Sequence, residues 1–294
     1  MTVIGIFGPT ASGKSRVAAA VADRLPVELV SADAMQAYLG LPILTNQSPA
    51  RLVAIWPLDH EASVGEYAPL AHAAVDEILS EGRVPLVVGG TGLYLRAALA
   101  DLSLPPAPGG GARARWERAY DADPADAYEQ LRTVDPAAAA KVHPNDRRRV
   151  VRALELAEAG ASLAPQSDRL WAQETRHPTI LVGLDVPADV LERRIVERTR
   201  AMFEAGVEDE VRRALAGPIS TTARKTLGLD EIASLPRDEA IEAIVVRTRR
   251  YAAYQRKWMR RIPGLVMVDA NRPPGEVADD IVALAGTRER LSRR

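Results

Sequence analysis

The sequence predicts an α/β protein: a parallel sheet with helices on both faces and an inserted all-helical subdomain. Three observations carry this. Apolar, β-rich runs at 2–7, 27–31, 85–88 and 179–184 read as buried strands. Helical patterns at 15–25, 66–81, 93–100 and 188–204 alternate with them, the order expected when crossover helices cover a parallel sheet. Between the third and fourth runs, the stretch Pro-Pro-Ala-Pro-Gly-Gly-Gly at 105–111 breaks the alternation, and 112–160 holds no strand candidate.

The first element is the most informative. Val3-Ile4-Gly5-Ile6-Phe7 runs into Gly8-Pro9-Thr10-Ala11-Ser12-Gly13-Lys14-Ser15, which fits the phosphate-binding loop G-x-x-x-x-G-K-[ST]. Inward-pointing backbone N–H groups of such a loop cage phosphate oxygens, and the following helix adds its positive N-terminal end. Lys14 is placed to reach the terminal phosphate and the Ser15 hydroxyl to ligate Mg²⁺. The motif predicts a bound di- or triphosphate without saying which.

The second strand ends just before Asp33, at the sheet edge where the phosphates would lie. A carboxylate there serves as a water-mediated Mg²⁺ ligand or a general base, set against an ordinary turn aspartate. The third ends at Gly89-Gly90-Thr91. The glycines allow close approach of a ligand, and Thr91 either contacts that ligand or caps the next helix. The fourth ends at Asp185, which reads as a turn aspartate before Pro187. A second acidic group for a kinase is the competing reading.

The inserted region is taken as 105–171, leaving 1–104 and 172–294 as the core. Residues 188–261 read as helical and Arg288 to Arg294 as a frayed, charged tail. At 294 residues, with 47% hydrophobic and 26% charged residues, the chain has the composition of an ordinary globular protein. It has no cysteine, which excludes disulfides, thiolate zinc sites and cysteine nucleophiles. The start has no basic signal region and no 18-residue apolar run occurs, so a cytosolic protein is expected. The net charge of −1 hides two basic clusters: four arginines within 146–152 and seven basic residues within 247–261. Local clustering sets affinity for a polyanion. Alone, both clusters read as solvated helix faces. Tyr251, Tyr254 and Trp258 form one stripe on the second; aromatics beside arginines can stack bases, but the default reading is packing against the core. His143 lacks a second histidine at metal-ligand spacing and is given no metal role.

Together these residues resemble the tRNA dimethylallyltransferase family, bacterial type. The likeness rests on the phosphate loop and on Ser31-Ala32-Asp33-Ala34-Met35-Gln36-Ala37-Tyr38. Val88-Gly89-Gly90-Thr91-Gly92-Leu93-Tyr94 and His143-Pro144-Asn145-Asp146 follow in order, then Gly206, Glu210-Val211, Gln255 and Trp258. The resemblance implies a P-loop NTPase-like core whose helical insertion contacts the anticodon stem. It implies transfer of a dimethylallyl group from its diphosphate to N6 of an adenosine beside the anticodon, with Mg²⁺ as cofactor. Asp33, Lys14 and Thr91 would be catalytic, Asp33 as the base. Gly8, Thr10, Ala11, Ser12, Gly13, Lys14, Ser15 and Lys225 would hold the diphosphate, with Ser15 on the metal. Asp33, Ala34, Met35, Gln36, Thr91, Arg113, Arg148, Arg149 and Arg152 would meet the tRNA. A monomer is expected.

This sequence departs from the family pattern in places. Ala34 stands where the family usually has serine. Leu44-Thr45-Asn46-Gln47-Ser48 replaces a lysine-containing segment, and the stretch to Trp56 is shortened. Lys225, or Arg224 with a one-residue slip, stands where the family has a diphosphate-contacting arginine, and lysine loses the bidentate geometry. A small-molecule kinase and a non-catalytic RNA-binding P-loop protein are the alternatives.

Overall fold

The computed structural model describes residues 2–102, 111–164, 170 and 172–292. The chain divides into two compact units, 1–102 with 170–294, and 103–169. The Pro/Gly stretch read as a linker lies outside the described residues, apart from Gly111.

The larger unit is built on five parallel strands: β1 (Val3–Phe7), β2 (Val27–Ser31), β3 (Val84–Gly89), β4 (Thr179–Asp185) and β5 (Leu265–Asp269). Their order is β2-β3-β1-β4-β5. β1 is central, with Gly5 in register with Val87 on one side and Leu181 on the other. From β1 the chain goes first to the edge strand β2, returns to β3 beside β1, and then crosses to β4 and β5 on the other side, so the crevice at the carboxyl ends lies beside β1.

Helices cover both faces, as the alternation predicted. Helix α1 (Lys14–Ala22) packs with the last helix of the chain over Ile4, Ile6, Leu86, Ile180 and Val182. Ile4 and Ile6 are at most 1% exposed, and full burial of each such side chain stabilises the fold by ~1.5–3 kcal/mol. Helix α2 (Pro42–Thr45) is a single turn. Helices α3 (Val64–Ser80) and α4 (Gly92–Leu99) pack together over β3. Gly5 faces α4, since a side chain there would strike Leu181 and Leu99.

The smaller unit contains α5 (Ala112–Ala122), α6 (Pro124–Val134), α7 (Pro136–Ala139) and α8 (Arg147–Glu158) around Leu131, Val150, Val151 and Leu154. The motif His143-Pro144-Asn145-Asp146 is spent on backbone geometry. His143 Nδ1 accepts the Asn145 N–H at 3.1 Å, and the Asp146 carboxylate caps α8 through the Arg149 N–H at 3.2 Å.

After β4 come α9 (Ala188–Glu204), α10 (Val207–Ala214), a 3-10 turn (Ala223–Lys225), α11 (Leu229–Ser234), the 23-residue α12 (Arg237–Met259) and α13 (Pro274–Ser292). Two expectations need correction. β5 was not foreseen: it is a short edge strand with Val266 and Met267 exposed, so it lacks the fully apolar signature of β1. The tail from Arg288, expected to fray, stays in α13 through Ser292.

Gly89 is a test of the packing at the sheet edge. A β-carbon there would lie 2.1 Å from the Ala32 carbonyl oxygen, which is backbone and cannot swing aside. Gly89→Ala is therefore expected to destabilise the protein by at least the upper end of the ~1–3 kcal/mol typical of overpacking. Gly217→Ala, where nothing lies within 4 Å, should be near neutral. Urea denaturation midpoints compare the two.

Candidate active site

The phosphate loop leaves a helix end open. Gly13, at φ 92°, is the N-cap of α1, and no side chain caps the helix. Its first-turn amides are thus left for an outside acceptor, which is how helix N-termini come to hold anions. Contrast α3, where Ser63 and Glu66 close a full capping box. Ala11 also adopts a positive φ of 62°, turning the loop back on itself. Gly8 is needed because a side chain would meet the Ser12 hydroxyl at 2.6 Å.

Two cations stand at the loop. The Lys14 ammonium donates to the carbonyls of Gly8 and Pro9, each at 2.9 Å. Burial pulls its pKa down to about 8, opposed by the nearby Asp33 carboxylate and assisted by Arg198. Arg198, on α9, donates to the Thr10 hydroxyl at 3.0 Å. Burial lowers its pKa too, and Asp33 opposes the shift. Both side chains face the Asp33 carboxylate, whose Oδ1 accepts the Met35 N–H at 3.0 Å and so fixes the turn after β2.

These groups line one cleft of about 540 Å³ at the carboxyl ends of the strands. Thr10, Ala11, Gly13, Lys14 and Ser15 form one side, with Asp33, Met35 and Gln36 across from them. Leu44, Ile195, Met202, Leu227, Ile244 and Tyr251 supply apolar wall. Gly8 and Ser12 are buried behind the loop.

Gln36 has its amide committed within the protein. Its Nε2 donates to the carbonyls of Asn46 (2.9 Å) and Thr45 (3.3 Å), and its Oε1 meets the Ser31 hydroxyl at 3.1 Å. The altered 44–48 segment is therefore tied to the Asp33 turn. It is held from below by the buried Glu210 carboxylate, which accepts the Ile43 and Leu44 N–H groups at 2.8 Å each. Ala34 offers its backbone N–H to the Thr91 hydroxyl at 3.3 Å. Thr91 is the N-cap residue of α4, yet its side chain does not cap the helix, and Thr91 does not line the cleft.

Three side chains were missed or misread in the sequence. Arg198 carries no motif of its own; only its position on the helix following β4 hints at the loop. Gln255 is 2% exposed, accepts the Thr10 N–H at 2.7 Å and donates to the Gly90 carbonyl at 2.8 Å. It braces the loops after β1 and β3 together. Tyr251, read as core packing, instead lines the cleft and interacts with the Thr91 and Gln255 side chains. Burial raises its phenol pKa, with the Asp33 charge adding to the shift.

Other expected residues lie apart from the cleft. Lys225 is not among its lining residues, although Thr226 and Leu227 are. Arg224 turns to Asp230 at 3.0 Å. Asp185 pairs with Arg256 at 3.4 Å, as befits a turn aspartate. In the smaller unit, Arg113 pairs with Glu117 at 3.2 Å, Arg149 with Asp146 at 3.6 Å and Arg152 with Glu155 at 3.4 Å. Arg148 is exposed, with no ion pair among the described residues.

A parallel sheet, an uncapped phosphate loop at its carboxyl edge and a carboxylate across the cleft define a P-loop protein built for group transfer from a phosphorylated compound. A family profile described as IPP transferase matches residues 36–262, and the chain belongs to that family. The tRNA dimethylallyltransferase of Salinispora tropica is 40% identical over 285 residues, covering 92% of this chain and 88% of that protein. The full-length tRNA isopentenylpyrophosphate transferase of Bacillus halodurans superposes with a TM-score of 0.69 at 29% identity, over 99% of this chain and 98% of that one. A eukaryotic dimethylallyltransferase captured acting on tRNA shares the fold, with a TM-score of 0.79 at 24% identity, over 100% of this chain and 80% of that one.

Lys14 gives the site a pH signature. Between about 8 and the unfolded lysine value near 10.4, the unfolded chain holds the proton that the empty folded site gives up. Unliganded stability should therefore rise across that window. An anion favours the charged lysine, so its affinity should fall over the same range. Calorimetry with inorganic diphosphate at pH 8.5, in buffers of different ionisation enthalpy, should detect proton uptake. Lys14→Met should abolish it.

Proposed function

We propose that this enzyme transfers a dimethylallyl group from dimethylallyl diphosphate to N6 of the adenosine beside the anticodon of tRNA, releasing diphosphate. The observation that carries the reading is the facing arrangement in one cleft of the open phosphate loop, Lys14 and Arg198 against Asp33.

The allylic C–O bond breaks as negative charge gathers on the diphosphate. The uncapped first-turn amides of α1 are open to that charge, and Lys14 and Arg198, which line the same cleft, would exchange their contacts with the loop for contacts with it. The Ser15 hydroxyl lies in the cleft beside the loop, and no group of three or more acidic or histidine side chains suited to a metal occurs among the described residues. That donor set fits Mg²⁺ held chiefly by diphosphate oxygens, with Ser15 as the protein ligand, and not a cage of side chains. When bound, the ion would neutralise leaving-group charge.

The exocyclic amine of adenine is a weak nucleophile because its lone pair is delocalised into the ring. Asp33 takes its proton as the N–C bond forms, and the Met35 N–H holds the carboxylate in place. Thr91, linked to Ala34 and Tyr251, keeps this turn in register with α4. The adenosine must leave its stack to enter, at a cost of a few kcal/mol. Phosphate contacts from Arg113, Arg148, Arg149 and Arg152 would offset that cost. Lys225 would approach the diphosphate through the adjacent Thr226 and Leu227 wall. Ala34, Met35 and Gln36 would meet the RNA at the mouth of the cleft. A monomer acting in the cytoplasm suits this role. No helix among the described residues is long and apolar enough to cross a membrane. A kinase reading loses support from Asp185, which faces Arg256 and not the cleft.

Incubation with labelled dimethylallyl diphosphate, Mg²⁺ and unmodified tRNA, followed by nucleoside analysis, should yield N6-dimethylallyl adenosine. ATP consumption without tRNA would overturn the reading in favour of a kinase. Asp33→Asn should reduce kcat by at least ~10²-fold while leaving donor affinity near that of the parent, since the base acts in the chemical step. Arg148→Ala with Arg149→Ala should weaken tRNA binding and lower the slope of log K against log salt by up to about 2 units. Anisotropy titrations at several salt concentrations measure it.

A further inference from the structure

Thr226 and Leu227 line the cleft, yet neither belongs to a helix or a strand. They follow the 3-10 turn Ala223–Lys225 and precede α11, so their place depends on what grips each end. The downstream grip is packing. Gly228, at φ 97°, lies so close to the core that a β-carbon would come within 2.9 Å of the Leu44 side chain and 3.4 Å of Ile244.

The upstream grip is polar and comes from the 58–61 stretch. The Ser220 N–H donates to the Leu58 carbonyl at 2.7 Å. Thr221 and Thr222 then direct their N–H groups at one carboxylate, that of Glu61, at 2.7 and 3.2 Å. The hydroxyls of both threonines bond it as well. Burial alone would raise the Glu61 pKa, but these hydrogen bonds outweigh it and hold the carboxyl below the ordinary glutamate value. From the other side, the Tyr38 hydroxyl meets the Thr222 hydroxyl at 2.7 Å and donates to the His60 carbonyl at 3.3 Å. Tyr38 follows the turn that carries Asp33, so the two loops share this anchor. Glu61 itself is exposed and does not line the cleft.

We propose that Glu61 is a positioning residue for the diphosphate donor: by holding the amides of Thr221 and Thr222 it keeps Lys225 and the Thr226–Leu227 wall where the donor docks. A short 3-10 turn has too few internal bonds to hold its own shape. Within this one the Arg224 N–H reaches the Ser220 carbonyl at 3.0 Å and the Thr226 N–H the Ala223 carbonyl at 2.9 Å. Without the carboxylate the turn would open locally while the sheet and its helices stay folded. A donor then binds only the fraction of molecules whose wall is in place, and its apparent affinity falls by that fraction. Bound donor fixes the wall again, so the saturated rate changes little. This rests on the donor proposed above and adds to it a residue outside the cleft.

The test uses the full chain, with steady-state transfer to unmodified tRNA and calorimetric titration of the unreactive thio-analogue of dimethylallyl diphosphate, Mg²⁺ present in both. Glu61→Ala should raise the KM for the donor and the Kd for the analogue about tenfold, with kcat and the KM for tRNA within about twofold of the parent. Glu61→Gln keeps one acceptor oxygen at the same reach and should recover part of the loss. Thermal melting confirms that both variants fold. Asp123→Ala is the comparison, since Asp123 also accepts two consecutive amides, those of Ala125 and Asp126 at 3.0 Å each, in the smaller unit. It should leave the donor constants at the parent's values. Parent-like donor KM and Kd in Glu61→Ala would overturn the proposal. An equal rise in Asp123→Ala would overturn it too, because it would mark lost stability alone. A parent protein that binds the analogue but transfers nothing to tRNA would instead overturn the function proposed above, and the analogue titrations would still decide the role of Glu61.

Discussion

The open N-terminus of α1 is the constraint on which the rest depends. Gln255, Arg198 and Lys14 keep a helix end without a capping side chain, and the loop before it, in one shape. A missing cap costs a helix roughly 0.5–2 kcal/mol. The fold offsets that through neighbours: Gln255 takes the Thr10 N–H, Arg198 takes its hydroxyl, and Lys14 bonds the Gly8 and Pro9 carbonyls. The loop is therefore rigid before any anion arrives. An anion that fills it gains contacts without having to order the backbone, which is the sense in which the site is preorganised.

Two neighbouring braces extend that rigidity to the acceptor side. Gln255 bonds the Gly90 carbonyl as well as Thr10, so the loops after β1 and β3 cannot move independently. Gln36 and Glu210 hold the 43–46 segment against the turn that carries Asp33. Gln36 thus acts first on backbone carbonyls, and the Asp-x-x-Gln spacing has a structural reason. Most contacts of the altered 44–48 segment with Gln36 and Glu210 run through its backbone, which tolerates changes of side chain; Gln47 differs, its Nε2 donating to the Gln36 and Tyr38 carbonyls.

Much of this was legible in the sequence, for a physical reason. Buried parallel strands are nearly continuous apolar runs, so β1, β3 and β4 stand out, while the half-buried edge strand β2 shows through its Val27, Leu29 and Val30. The phosphate loop stands out because its geometry demands glycine at fixed spacing, and the place of Asp33 in the cleft follows from its position after a strand end. What was not legible depends on contacts distant in sequence. Thr10 and Gln255 are 245 residues apart, and Arg198 is 188 residues from its partner. No local pattern announces such pairs. Tyr251 was misread because an aromatic stripe looks alike whether it faces a core or a cleft. β5 was missed because an edge strand with exposed Val266 and Met267 has only a weak apolar signal.

The central claim is that one cleft holds the departing diphosphate and the base on opposite sides of the reacting carbon. The most direct measurement is a crystal structure with the unreactive thio-analogue of dimethylallyl diphosphate. The account predicts diphosphate oxygens on the loop amides, Lys14 and Arg198, with the first allylic carbon directed toward Asp33 and room for a purine between them. Diphosphate bound elsewhere, or an allylic carbon pointing away from Asp33, would contradict it.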